Sequence, residues 1–138
     1  MDFSDVEIVM PVRVEFIREN RAVLQTYIVP LVSEDLIASQ QIMLRDIFPG
    51  SVGKLPIIAD FGAVKTLPSM VLRSASTMMR TAHPNTGHII CVTQSAFVIN
   101  LANVFAKLSP QYPIKVVQSL EEAYREVDAL LAQSRLPD

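Results

Sequence analysis

The chain has 138 residues, half of them apolar and only 19% charged, which suits one well-filled domain and excludes intrinsic disorder. Twelve basic against fourteen acidic side chains give a net charge of −2, so no global field draws it to a nucleic acid backbone or an anionic membrane surface. Mean hydropathy is +0.32, yet no run approaches the ~20 apolar residues that cross a bilayer, because Asn100, Asn103 and Lys107 interrupt even residues 96–108.

Residues 1–11 carry acidic side chains where a secretory signal is positive, so a cytoplasmic location is expected. Within this N-terminal segment, residues 6–10 are a candidate extra edge strand. From Val12, the apolar residues Val12, Val14 and Phe16 alternate with Arg13 and Glu15. The polar residues 18–21 follow, and then a β-branched-rich run over residues 23–29. This pattern predicts an antiparallel hairpin. Ser33 precedes Glu34 and Asp35, an N-cap with carboxylates near the positive end of a helix dipole. Leu36, Met43, Leu44 and Ile47 then recur at helical spacing until Pro49 and Gly50.

Residues 55–59 form a short apolar run without polar alternation, as expected of a central strand covered on both faces. A helix is predicted from Pro68 to the turn at His83 and Pro84, with Val71, Leu72, Ala75, Met78, Met79 and Ala82 on its apolar side. Residues 88–92 read as a second buried strand, after which Ser95 caps a helix striped by Phe97, Leu101, Val104, Phe105 and Leu108. Residues 114–117 read as a third buried strand. Ser119 and Glu122 then match a capping box ahead of Ala123, Val127, Leu130 and Leu131.

The expectation is one α/β domain over residues 12–133 and a loose tail over 134–138. Its mixed, mostly parallel sheet has an N-terminal antiparallel hairpin and about four helices, in the order ββαβαβαβα. So apolar a domain is also expected to cover surplus surface by homodimer formation.

Several chemical motifs fail on spacing or context. Residues 50–54, Gly-Ser-Val-Gly-Lys, run from a helix into a strand, and their glycines stand too close for a phosphate loop. No GxGxxG or GxSxG occurs. His83 and His88 lack converging ligands, and Cys91 reads as a small buried hydrophobe. No catalytic residue, metal or cofactor is expected, and the protein is read as a non-enzyme. A second class of function stays open: a small-ligand or lipid-binding domain with an apolar cavity between sheet and helices, suggested by the high apolar fraction and six methionines. The face of the helix over 68–82 opposite its apolar stripe brings Ser69, Arg73, Ser76 or Thr77, and Arg80 to one side at spacings of three to four. Such a hydroxyl-and-guanidinium surface suits a protein partner, and a phosphate on Ser69 would lie near the positive helix end with Arg73 one turn away.

The element order and the segment Asp60-Phe61-Gly62-Ala63-Val64-Lys65-Thr66-Leu67-Pro68-Ser69 resemble the STAS domain shared by sulfate transporters and bacterial anti-sigma-factor antagonists. Members commonly read strand, Asp-Leu-Ser-x-Val-x-Phe-Ile-Asp-Ser, helix. Asp60, Val64 and Ser69 coincide with that pattern and Leu67 is a close replacement, while Pro68 stands where an acidic residue is usual. The resemblance implies a regulatory module whose partner, a kinase or regulator, meets a surface of Asp60, Lys65, Thr66, Ser69, Arg73, Thr77 and Arg80. It also implies that phosphorylation of Ser69 switches binding.

Overall fold

The computed structural model describes residues 12–29, 33–51, 53–66, 73, 77, 83–108 and 112–134. Five strands form a single sheet in the order β1-β2-β3-β4-β5: β1 Val12–Ile17, β2 Ala22–Tyr27, β3 Leu55–Asp60, β4 Thr86–Val92 and β5 Ile114–Val117. The hairpin of β1 and β2 is antiparallel, with Val12 opposite Tyr27 and Ile17 opposite Ala22. Every later neighbour is parallel. The α/β class, the edge hairpin and the parallel remainder therefore agree with the sequence expectation.

Three α-helices are present among the described residues: α1 Ser33–Ile42, α2 Ala96–Leu108 and α3 Leu120–Ser134. Of the further helix expected over residues 68–82, only Arg73 and Thr77 are described. Both are helical, and the Thr77 hydroxyl donates to the Arg73 carbonyl at 3.1 Å. Residues 1–11, Ser69, Arg80 and the tail beyond Ser134 lie outside the described residues.

Because β2 to β5 advance in one direction across the sheet, right-handed crossovers put their connecting helices on one face. The packing follows that rule. Leu36 of α1 joins Val12, Tyr27 and Ala59, and Val98 and Ala102 of α2 join Cys91 on the same face. The opposite face holds Ala22, Leu24, Ile58, Ile90, Val92 and Val117, covered by Ala123 and Val127 of α3. Strand β3 carries both cores, which explains its unbroken apolar run: Ile57 packs with Met43, Ile47 and Phe48 on one face, and Ile58 with α3 on the other.

Two local readings change. Strand β5, expected to be buried on both faces, is the far edge: α2 and α3 flank its two faces, yet only Val117 is fully buried, and Lys115 is exposed and pairs with Glu126 of α3. The helix ending at Gly50 is not α-helical throughout. After Ile42 it widens into a π turn, Met43–Ile47, closed by the Phe48 N–H donating to the Met43 carbonyl, and then tightens into a 3₁₀ turn, Phe48–Gly50. The wider turn lets Met43, Ile47 and Phe48 all reach Val23, Leu55 and Ile57, whereas Leu44, expected on the apolar stripe, is exposed. The His83 ring stacks on Phe48 at 4.2 Å, and its Nδ1 accepts the Asn85 N–H. The Asn85 amide in turn donates to the Ser51 hydroxyl and the Asn85 carbonyl accepts the Leu55 N–H. The glycine-containing segment before β3 is thus tied to the start of β4 and has a structural part.

Candidate functional site

All four parallel strands end at the same edge of the sheet, the place where α/β folds gather their sites. Asp60 closes β3, and the chain then makes a short anchored loop. The Asp60 carboxylate accepts the Gly62 N–H at 2.9 Å, a local turn bond characteristic of aspartate. The Phe61 N–H donates to Val92 of β4, and Val64 N–H closes back on the Phe61 carbonyl. Phe61 stacks flat on Tyr27 with ring centroids 4.5 Å apart, and Val64 is buried beneath the loop. These contacts leave Gly62, Ala63, Lys65 and Thr66 exposed.

The far side of the loop is held by α2. The Ser95 hydroxyl donates to the Lys65 carbonyl at 2.6 Å and accepts the Val98 N–H at 3.4 Å, so the cap expected at this helix start also fastens the loop. The Ser95 N–H donates to the buried Thr93 hydroxyl, and the Thr93 N–H to Val117 of β5. Ile28 and Val29, which run on from the end of β2, are 40% and 53% exposed, and Phe97 in the first turn of α2 is 43% exposed. The result is an apolar rim beside an anchored polar loop.

Of the residues predicted as a partner surface, Asp60, Lys65 and Thr66 therefore share one loop, and Arg73 and Thr77 are one helical turn apart and exposed. Ser69 and Arg80 lie outside the described residues. Sequence reasoning missed Tyr27, Phe61 and Ser95 as the groups that fix the loop. Only the cap at Ser95 had a local signal; the thirty residues between Ser95 and Lys65 leave no pattern.

The buried ionisable groups near this edge are chemically quiet. Burial pushes the Tyr27 hydroxyl up from 10.0 to about 12, against a hydrogen bond with the fully buried Ser39 hydroxyl at 3.3 Å. Burial, with a smaller push from the Asp60 carboxylate, raises the Cys91 thiol from 9.0 to about 12. A thiol held protonated is a poor nucleophile. Among the described residues no three His, Cys, Asp or Glu side chains gather as a metal site. Both shifts have the same sign for stability. Between about pH 9 and pH 12 the unfolded chain ionises these groups while the native protein keeps them protonated, so stability falls as pH rises. We expect a loss of about 1.4 kcal/mol per pH unit for each group in its window. Urea unfolding at pH 8 and pH 11 measures it, and the combined Tyr27→Phe, Cys91→Ala chain should show a flatter decline than wild type.

The opposite end of the molecule holds an open groove of about 470 Å³ lined by Arg18, Glu19, Arg21, Asp128, Leu131 and Ala132. Its arginines fasten α3 to the hairpin. Arg18 pairs with Asp128 at 2.7 Å and lies over the Tyr124 ring, and Arg21 donates to the Leu131 carbonyl. This groove lies between the hairpin turn and α3 and is lined by charged side chains, unlike the apolar cavity that a lipid carrier needs.

No helix among the described residues is long and apolar enough to cross a membrane. In comparisons with known proteins, no family model, no curated protein and no solved structure matches the chain.

Proposed function

We propose that this domain is a non-enzymatic regulatory module of STAS type, acting in the cytoplasm, which binds a kinase-like or regulator-like protein at the edge formed by residues 60–66. The observation that supports this reading is the loop itself. It is pinned from beneath by Val64, at one side by the Phe61–Tyr27 stack and at the other by Ser95, and it presents Lys65 and Thr66 beside exposed Ile28, Val29 and Phe97. A preorganised polar loop with an apolar margin binds a protein without a large ordering cost. The same loop leads toward Ser69, whose phosphorylation would place two negative charges in the path of the partner.

The test compares three chains as bait in extracts of the native cell: wild type, Lys65→Glu and Ser69→Glu. A partner retained by wild type and lost from both variants supports the reading, and phosphosite mapping on the recovered protein should find Ser69 modified. Equal recovery of every captured protein by all three chains overturns the proposed surface. Equal recovery by wild type and Ser69→Glu alone removes the switch and leaves the surface.

A further inference from the structure

Among the described residues, nothing pairs with the outer side of β1, which stands at the end of the sheet. Exposed strand edges are commonly blunted by charge, and β5 at the other end follows that rule. It is only four residues long and carries Lys115 at its second position. Strand β1 is different. It has six residues, Val-Arg-Val-Glu-Phe-Ile, with an exposed base and an exposed acid on one face of the sheet, placed symmetrically about Val14. Neither Arg13 nor Glu15 forms an ion pair among the described residues.

We propose that β1 is a self-complementary edge on which a second copy of this chain pairs antiparallel about Val14, joining two five-stranded sheets into one of ten strands. A two-fold axis perpendicular to the sheet keeps each face on its own side, so only registers that oppose residues of the same face are allowed. Centring the axis on Arg13 would oppose two arginines, and centring it on Glu15 would oppose two glutamates. Like charges directly opposite destabilise a strand pair. Centring on Val14 puts Arg13 of each copy opposite the partner's Glu15, so the two-fold makes two favourable pairs from one base and one acid. On the other face the same register sets Val14 against the partner's Val14, and Val12 against the partner's Phe16. Val14 and Phe16 are only partly buried by α1 and the π turn, so the partner strand covers apolar surface that one copy leaves open. A parallel pairing would align the charges with their own kind and gains neither effect. This inference does not rest on the partner surface at residues 60–66, which lies at the strand ends.

Sedimentation equilibrium on the full chain tests the arrangement. Wild type at tens of micromolar is expected to weigh twice the 15.3 kDa chain. Arg13→Glu gives a chain with two acids on this face and Glu15→Arg a chain with two bases, and each is expected to dimerise on the order of tenfold more weakly, because one substitution acts at both pairs. Mixing the two variants should restore the dimer as a heterodimer, since every acid then meets a base. The Arg13→Glu, Glu15→Arg double variant should restore it alone. These side chains are exposed, and far-UV circular dichroism confirms folding of each variant. A monomeric wild type at 100 µM, a dimer indifferent to the single reversals, or a mixture that stays monomeric overturns the proposal.

Discussion

Ile58→Ala is expected to destabilise the domain by about 4 kcal/mol, near the upper part of the range for emptying a buried isoleucine. Ile58 is fully buried at the centre of β3 and faces Ala22, Leu24, Ile90, Val92, Ala123 and Val127. Its neighbours come from the two flanking strands, β2 and β4, and from α3, so they cannot close the space without moving the sheet or the only helix on that face among the described residues. Domains of this kind are stable by ~5–15 kcal/mol, so one such loss removes a large share. Urea unfolding gives the value from the midpoint at constant slope. Ile58→Val, which removes one methylene, should cost about 1 kcal/mol. A loss below about 1.5 kcal/mol for the alanine variant would mean that α3 settles into the vacancy and that this face is loosely packed.

That core was legible in the sequence because it obeys short periods. The uninterrupted apolar run of β3 announced a strand covered twice. The serines ahead of α2 and α3 announced their starts, and Ser119 does accept the Glu122 N–H at 3.1 Å. What stayed hidden depends on contacts between distant segments. Whether a short strand is central or an edge is decided by neighbours, so β5 read like β4 although its Lys115 is solvent-facing. The π turn after α1 satisfies an apolar set that an ordinary helix would split between two sides, and Leu44 lost its place to Phe48 as a result. At the candidate site, Asp60, Lys65 and Thr66 were readable as one segment. The Tyr27–Phe61 stack and the Ser95 hydroxyl that make the segment rigid were not, because an aromatic pair and one hydrogen bond over thirty residues impose no spacing. The charges of β1 were read only as the outward half of an alternation. Their symmetry about Val14 acquires meaning once β1 stands at the end of the sheet among the described residues.

Gly87→Ala should destabilise the protein by about 3 kcal/mol, although glycine within a strand is ordinarily the poorer residue by ~0.5–1 kcal/mol. The sign reverses because of the junction between β3 and β4. Leu55 is opposite Thr86 while Ile57 is opposite Ile89, so β4 holds one residue more than β3 over this stretch, and Gly87 sits in the bulge. A Cβ on Gly87 would lie 2.7 Å from the Leu55 carbonyl oxygen, 2.9 Å from its carbon and 3.2 Å from the Pro56 nitrogen. All three are backbone atoms, and Leu55 is itself held by its N–H to the Asn85 carbonyl at 2.8 Å. No rotamer change relieves the clash; the start of β3 has to move, and Leu55 with it out of the core beside Met43 and Phe48. Gly50→Ala supplies the control, since a Cβ there meets nothing within 4 Å, and it should be neutral or slightly stabilising. Both variants are read by the same urea midpoint. Equal effects at the two positions would show that β4 can shed its bulge, and that glycine at position 87 answers to backbone freedom and not to the closeness of the neighbouring strand.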